Sequence, residues 1–131
     1  MNRVSKEKIT TILYVDDEAD IQAIAKLALE TLGPFTVTLC SSGRDAIELL
    51  KSHQYDCIML DVMMPTMTGP ETLLAMRACC KELPPVIFIT AKIQKDERKY
   101  YESLGCAGII GKPFDPLLLH KSVERALLRP K

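Results

Sequence analysis

The feature that most limits what this chain can fold into is a regular alternation of short apolar runs with longer segments of helical spacing. Five runs rich in β-branched and apolar residues recur, at Thr11 to Val15, Phe35 to Leu39, Cys57 to Leu60, Val86 to Ile89 and Ile109 to Ile110. Each is long enough for a strand and too short for a helix, and three of them are apolar without polar alternation, the pattern of parallel strands covered on both faces. The segments between them carry apolar residues at helical spacing. In Ala19 to Leu32 the stripe is Ile21, Ile24, Ala25, Ala28, Leu29 and Leu32, with Gly33-Pro34 as the stop. A second helix is predicted after Ser42 through Ala46, Leu49 and Leu50, and a third from Gly69-Pro70 through Leu73, Leu74, Met76 and Arg77, ended by Leu83-Pro84-Pro85. The fourth, Lys95 to Leu104, is the most polar. The fifth is predicted to start at Asp115 as N-cap with Pro116 behind it, running through Leu118, Leu119, Val123 and Leu127. Five strands alternating with five helices predict an α/β fold with a parallel sheet and right-handed crossovers.

At 131 residues with 47% hydrophobic content, the chain has enough material for one core. We expect a single domain over residues 9–128, with a short polar start at 1–8 and a short tail at 129–131. Lys plus Arg and Asp plus Glu number 17 each, so there is no long-range attraction to nucleic acid or an anionic membrane, and any charge-based function must be local. The five cysteines contain no C-x-x-C pair, and Cys57 falls in an apolar run, as expected of reduced thiols in a cytosol. The start is polar and no apolar run approaches the ~20 residues of a membrane span, so the expected location is cytoplasmic. His53 and His120 lack metal-ligand spacing and read as surface histidines, and the methionines read as core and loop filler.

Chemistry concentrates at the carboxyl ends of the strands. The first ends in Asp16-Asp17, the third in Asp61 and the fourth in Thr90, while the fifth runs through Gly111 into Lys112-Pro113. Open parallel sheets bind ligands along this edge, where strand order reverses. Taken singly, each has an ordinary explanation: an acidic helix cap, a turn residue, a strand-end hydroxyl, a solvated lysine. Those explanations do not account for four such positions falling on one edge. Carboxylates crowded together raise one another's pKa, and a divalent cation with oxygen preference, such as Mg²⁺, removes the conflict. An Asp carboxylate is also a nucleophile toward phosphoryl groups, and the transferred group then needs an ammonium and hydroxyl donors around it.

Ile12-Leu13-Tyr14-Val15-Asp16-Asp17-Glu18, Met59-Leu60-Asp61-Val62-Met63-Met64-Pro65 with Gly69, Ile89-Thr90-Ala91 and Gly111-Lys112-Pro113-Phe114 together resemble the CheY-like receiver domain of bacterial response regulators, over about residues 9–128. The resemblance implies a flavodoxin-like (βα)5 three-layer sandwich with sheet order 2-1-3-4-5, a known order for such receivers. It implies Asp61 as phosphoacceptor, Asp17 and Asp61 as direct Mg²⁺ ligands, Asp16 acting largely through water, and the Met63 backbone carbonyl as a further ligand. Thr90 would bind a phosphoryl oxygen and Lys112 would pair with the phosphoryl group, next to a cis Lys112-Pro113 bond.

The function so implied is a phosphorelay module of a two-component system: a signalling receiver with self-catalysed phosphoryl transfer and slow autodephosphorylation, not a metabolic enzyme. Its expected partners are a histidine kinase or histidine phosphotransfer protein and a downstream protein target or effector domain outside this chain. The receiver motifs leave only short tails, so no nucleic acid and no membrane partner is expected, and the expected state is a monomer or weak dimer. Three positions depart from the common pattern. Ile109 stands where many receivers carry Tyr or Phe, Cys106-Ala107-Gly108 where an acidic residue often opens strand five, and Thr68 where an acidic residue often precedes the loop glycine. Two rivals fit less well. A haloacid-dehalogenase-type phosphohydrolase would carry D-x-D on its first strand, and a flavodoxin electron carrier would carry a Ser/Thr/Gly-rich loop where this chain has Asp16-Asp17-Glu18.

Overall fold

The computed structural model describes residues 10–91 and 94–128; the two expected tails lie outside the described residues. Strands β1 (Thr10–Val15), β2 (Phe35–Cys40), β3 (Cys57–Asp61), β4 (Val86–Thr90) and β5 (Gly108–Gly111) alternate with helices α1 (Ala19–Leu32), α2 (Gly43–Leu50), α3 (Gly69–Cys79), α4 (Lys95–Ser103) and α5 (Leu119–Leu128). All four pairings are parallel and the sheet order is β2-β1-β3-β4-β5. The reversal therefore falls between β1 and β3, which places the ends of those strands side by side.

The period-two alternation of a strand sends successive side chains to opposite faces and so builds two cores from one sheet. Ile12, Tyr14, Met59, Ile87 and Ile89 pack with Leu29 of α1 and Val123 of α5, whereas Leu13, Val15, Ile58, Leu60 and Phe88 pack with Ala46, Leu73, Met76 and Tyr101 from α2, α3 and α4. Every residue of β3 and β4 is buried, which is why these runs show no polar alternation. β2, on the edge, instead alternates buried Phe35 and Val37 with exposed Thr36 and Thr38. Burying each large side chain contributes about 1.5–3 kcal/mol, and this holds the helices to the sheet.

Helix ends follow local chemistry. Ser42 caps α2 by accepting from the Asp45 amide. Thr68 and Glu71 form a reciprocal capping box at the start of α3, which gives the departure at Thr68 a structural role. At Gly69 an added Cβ would lie 2.6 Å from the Asp61 carbonyl oxygen and 2.9 Å from the Val62 Cα, so only glycine lets α3 start this close to the end of β3.

Three expectations change. The fifth helix starts at Leu119: Asp115 Oδ1 accepts from the Leu117 amide across two residues, a side-chain turn that holds 115–118 outside the helix. In α1 the buried stripe is narrower than the spacing suggests, with Ile24 and Leu32 exposed and the polar Gln22 buried. His120 is largely covered, its Nδ1 lying 3.5 Å from Glu124 one turn on, so it is no open surface histidine. The Lys112-Pro113 peptide is cis, as the resemblance implies.

Candidate functional site

The carboxyl ends of β1, β3 and β5 deliver the expected groups to one place. Asp61, the last residue of β3, is 2% exposed, and Asp16, one residue past β1, is fully buried. Lys112 follows β5 and reaches both: its Nζ lies 3.1 Å from Asp16 Oδ2 and 3.3 Å from Asp61 Oδ2, and it also meets Glu18 Oε1 at 2.5 Å. A single ammonium, itself little exposed, thus faces three carboxylates.

Burial, and then the Asp16 charge, push the Asp61 carboxyl up to about 6, against the opposing pull of Lys112 and of the Met63 backbone N–H. For Lys112, burial acts to lower the pKa, but hydrogen bonds to Glu18 and Asp16 and the nearby negative charges outweigh it and hold the ammonium above the ordinary lysine range. Asp61 is therefore a carboxylate kept partly starved of compensating charge, which favours a group bringing positive charge or taking its electrons into a bond.

Asp16 has its donors in place. Oδ1 accepts from the Glu18 amide at 2.9 Å and Oδ2 from the Tyr14 hydroxyl at 3.2 Å, while the Asp16 carbonyl accepts from Gln22 Nε2. The same amide nitrogen reaches Cys40 O at 3.3 Å and Ser41 Oγ at 3.1 Å, tying the loop after β1 to the loop after β2.

Carboxylate oxygens of Asp16, Glu18 and Asp61 all lie within 4.8 Å of one another, an all-oxygen donor set of the kind a hard divalent cation takes. Asp17 is exposed and stands outside this group; Glu18, which the sequence reading did not single out, stands in it. Both residues are exposed, and Glu18 joins the group because its carboxylate pairs with Lys112. The Met63 side chain is exposed while its N–H faces the Asp61 carboxylate. Thr90 ends β4, buried, with its hydroxyl beside the phenol of Tyr101 on α4. Tyr101 is the buried residue of that helix and packs on Phe88, with ring centroids 5.4 Å apart. A groove of about 890 Å³ lined by Arg77, Leu83, Val86, Cys106 and Gly108 opens at the other end of β4 and β5, away from the carboxylates.

The model of the response regulator receiver domain family matches residues 12–124. The chain belongs to that family. It is a receiver domain of two-component signalling. Among curated relatives, the response regulator SaeR of Staphylococcus aureus is 37% identical over 123 residues, which is 94% of this chain and 53% of the relative. The receiver spans about half the length of the curated relatives it matches. Among solved structures, the chemotaxis protein CheY4 of Vibrio cholerae matches with TM-score 0.83 and 29% identity, over 92% of this chain and 100% of that one. The receiver domain of Francisella response regulator 1452 matches with TM-score 0.82 and 26% identity, over 93% and 99%. Among the described residues, no helix of the receiver is long and apolar enough to cross a membrane.

Proposed function

We propose that Asp61 is the phosphoacceptor of this receiver, taking its phosphoryl group from a histidine kinase or a histidine phosphotransfer protein in the cytoplasm. The observation that carries this is the buried, charge-starved Asp61 carboxylate at the end of the central strand, faced by Lys112 and Asp16. In the transfer, an Asp61 carboxylate oxygen forms a bond to phosphorus as the bond from phosphorus to the donor imidazole nitrogen breaks, and the electron pair leaves with the imidazole. Lys112 neutralises charge on the phosphoryl oxygens, and the Thr90 hydroxyl, turning from Tyr101, donates to one of them. Water attack on the acyl phosphate returns the carboxylate slowly.

The donor set fits Mg²⁺. Asp17, exposed beside that carboxylate group, and Asp61 would hold it with the Met63 carbonyl, Asp16 would act through water, and Glu18 is a further candidate. When bound, the ion supplies positive charge to the transferring phosphoryl group. Incubation with acetyl phosphate and Mg²⁺ should add one phosphoryl mass, and a chelator should abolish it. Labelling that ignores the chelator would refute the metal-assisted reading.

Output is read by a downstream protein or effector domain on the α4, β5 and α5 face. The Thr90 hydroxyl lies beside the Tyr101 phenol, so drawing Thr90 to a phosphoryl oxygen disturbs the seat of the α4 side chain that is buried in the core. Half-buried Ile109 offers no hydroxyl to such an exchange, so the larger change falls on α4. Amide exchange with and without a phosphoryl mimic should show reduced protection in 95–104. Changes confined to the loop after Asp61 would rule this output face out.

A further inference from the structure

We infer that Tyr14 is a positioning residue for the acidic pocket, holding the Asp16 carboxylate in the orientation from which it serves the metal-assisted reaction; this rests on the phosphoacceptor reading above. Tyr14 and Asp16 are two residues apart, so they project to the same side of the sheet, the side covered by α1 and α5. The ring of Tyr14 is fully buried among Ile12, Ala25, Leu29 and Met59, which fixes where its hydroxyl can go, and the hydroxyl reaches Asp16 Oδ2 at 3.2 Å. An apolar strand residue would fill this volume without the hydroxyl, so packing alone does not call for tyrosine here.

The contact completes a set. With Oδ1 on the Glu18 amide, Oδ2 on the Tyr14 hydroxyl and the Asp16 carbonyl on Gln22, both the carboxylate plane and the backbone beneath it are held from protein donors. Lys112 Nζ already reaches Oδ2 at 3.1 Å and Oδ1 at 3.3 Å, and without the phenol it has no competing donor on Oδ2. That would draw Asp16 and Lys112 onto each other and away from the ion and the phosphoryl group. Outer partners of this kind are worth about tenfold or more in metal affinity.

The test is Tyr14→Phe, which keeps the ring and removes only the hydroxyl. Mg²⁺ titration by calorimetry should show affinity weakened about tenfold, and acetyl phosphate labelling of Asp61 should slow in step at subsaturating Mg²⁺. It should recover at saturating Mg²⁺, while the Tm of the metal-free protein stays near the parent's. A tyrosine ultraviolet difference signal on Mg²⁺ addition should appear in the parent and vanish in the variant, since a phenol that merely fills space does not sense the ion. Equal Mg²⁺ affinity in parent and variant, or a lowered Tm with affinity intact, would overturn the inference. A parent chain that binds no Mg²⁺ would overturn the phosphoacceptor reading and this inference with it, and is told apart because it shows in the unaltered protein.

Discussion

Asp61→Asn should abolish phosphoryl labelling and at the same time make the metal-free protein more stable at neutral pH. The first effect follows from removing the nucleophile: an amide does not attack phosphorus, and labelling should fall below detection. The second is a linkage effect and its sign can be worked out. The folded-state pKa of Asp61 is raised, from an ordinary value near ~4 to about 6. Between those values the folded chain binds more protons than the unfolded one, so stability falls as pH rises through the window and stays reduced above it. A shift of this size corresponds to about 3 kcal/mol, and the asparagine variant is free of it. Urea unfolding of parent and variant, without divalent ions, should therefore give similar stability near pH 4 and a growing advantage for the variant up to pH 7. Mg²⁺ should close part of the gap by binding the folded parent. Undiminished labelling of the variant would remove Asp61 from the acceptor role. A stability difference that does not vary with pH would show that the Asp61 pKa is not raised by folding.

Lys112→Ala should have the opposite effect on stability. Lys112 is the ammonium that faces Asp16, Glu18 and Asp61 together, and two of those carboxylates are buried. Removing one partner from a buried ion pair leaves uncompensated charge, at a cost of about 3 kcal/mol, or roughly 10 °C in Tm for a domain of this size. The loss should be larger at pH 8 than at pH 5, since Asp61 can take up a proton at the lower pH and relieve the pocket. Added Mg²⁺ should restore much of it, because a divalent ion offers the same carboxylates a substitute positive charge. Lys112→Ala should also slow labelling at saturating Mg²⁺, where the lost charge on the phosphoryl group is not replaced. A variant as stable as the parent in chelator, with an unchanged pH profile, would show that Lys112 does not hold the pocket together.

Much of this receiver is local information. A run such as Cys57 to Leu60 is a buried strand because of what its own residues are, and Ser42, Thr68 with Glu71, and Gly33-Pro34 mark helix ends through bonds that reach only a few residues. Strand and helix order, two-sided burial of the sheet and the gathering of Asp16, Asp61, Thr90 and Lys112 at one edge were legible for that reason. Asp115 shows the limit of local reading: the same residue type caps a helix or closes a two-residue turn, and the choice went to the turn. Sheet order came from resemblance, because pairing between β1 and β3 joins residues more than forty positions apart.

Other features depend on where side chains point once distant segments meet. Gln22 looks like a solvent-facing helix residue until the loop after β2 arrives beside it with Cys40 O and Ser41 Oγ. Exposed Glu18, and not its equally exposed neighbour Asp17, joins the acidic group through an ion pair with Lys112, ninety-four positions away in the chain. Tyr101 reads as one of two adjacent tyrosines on a polar helix, and becomes the anchor of α4 only because Phe88 and Thr90 lie beneath it. The elements and the chemical types at the sheet edge are legible along the chain, since periodicity and side-chain chemistry are properties of neighbouring residues. The partners of each functional group were decided by packing, since hydrogen bonds and ion pairs are made in space between segments that the order of residues does not bring together.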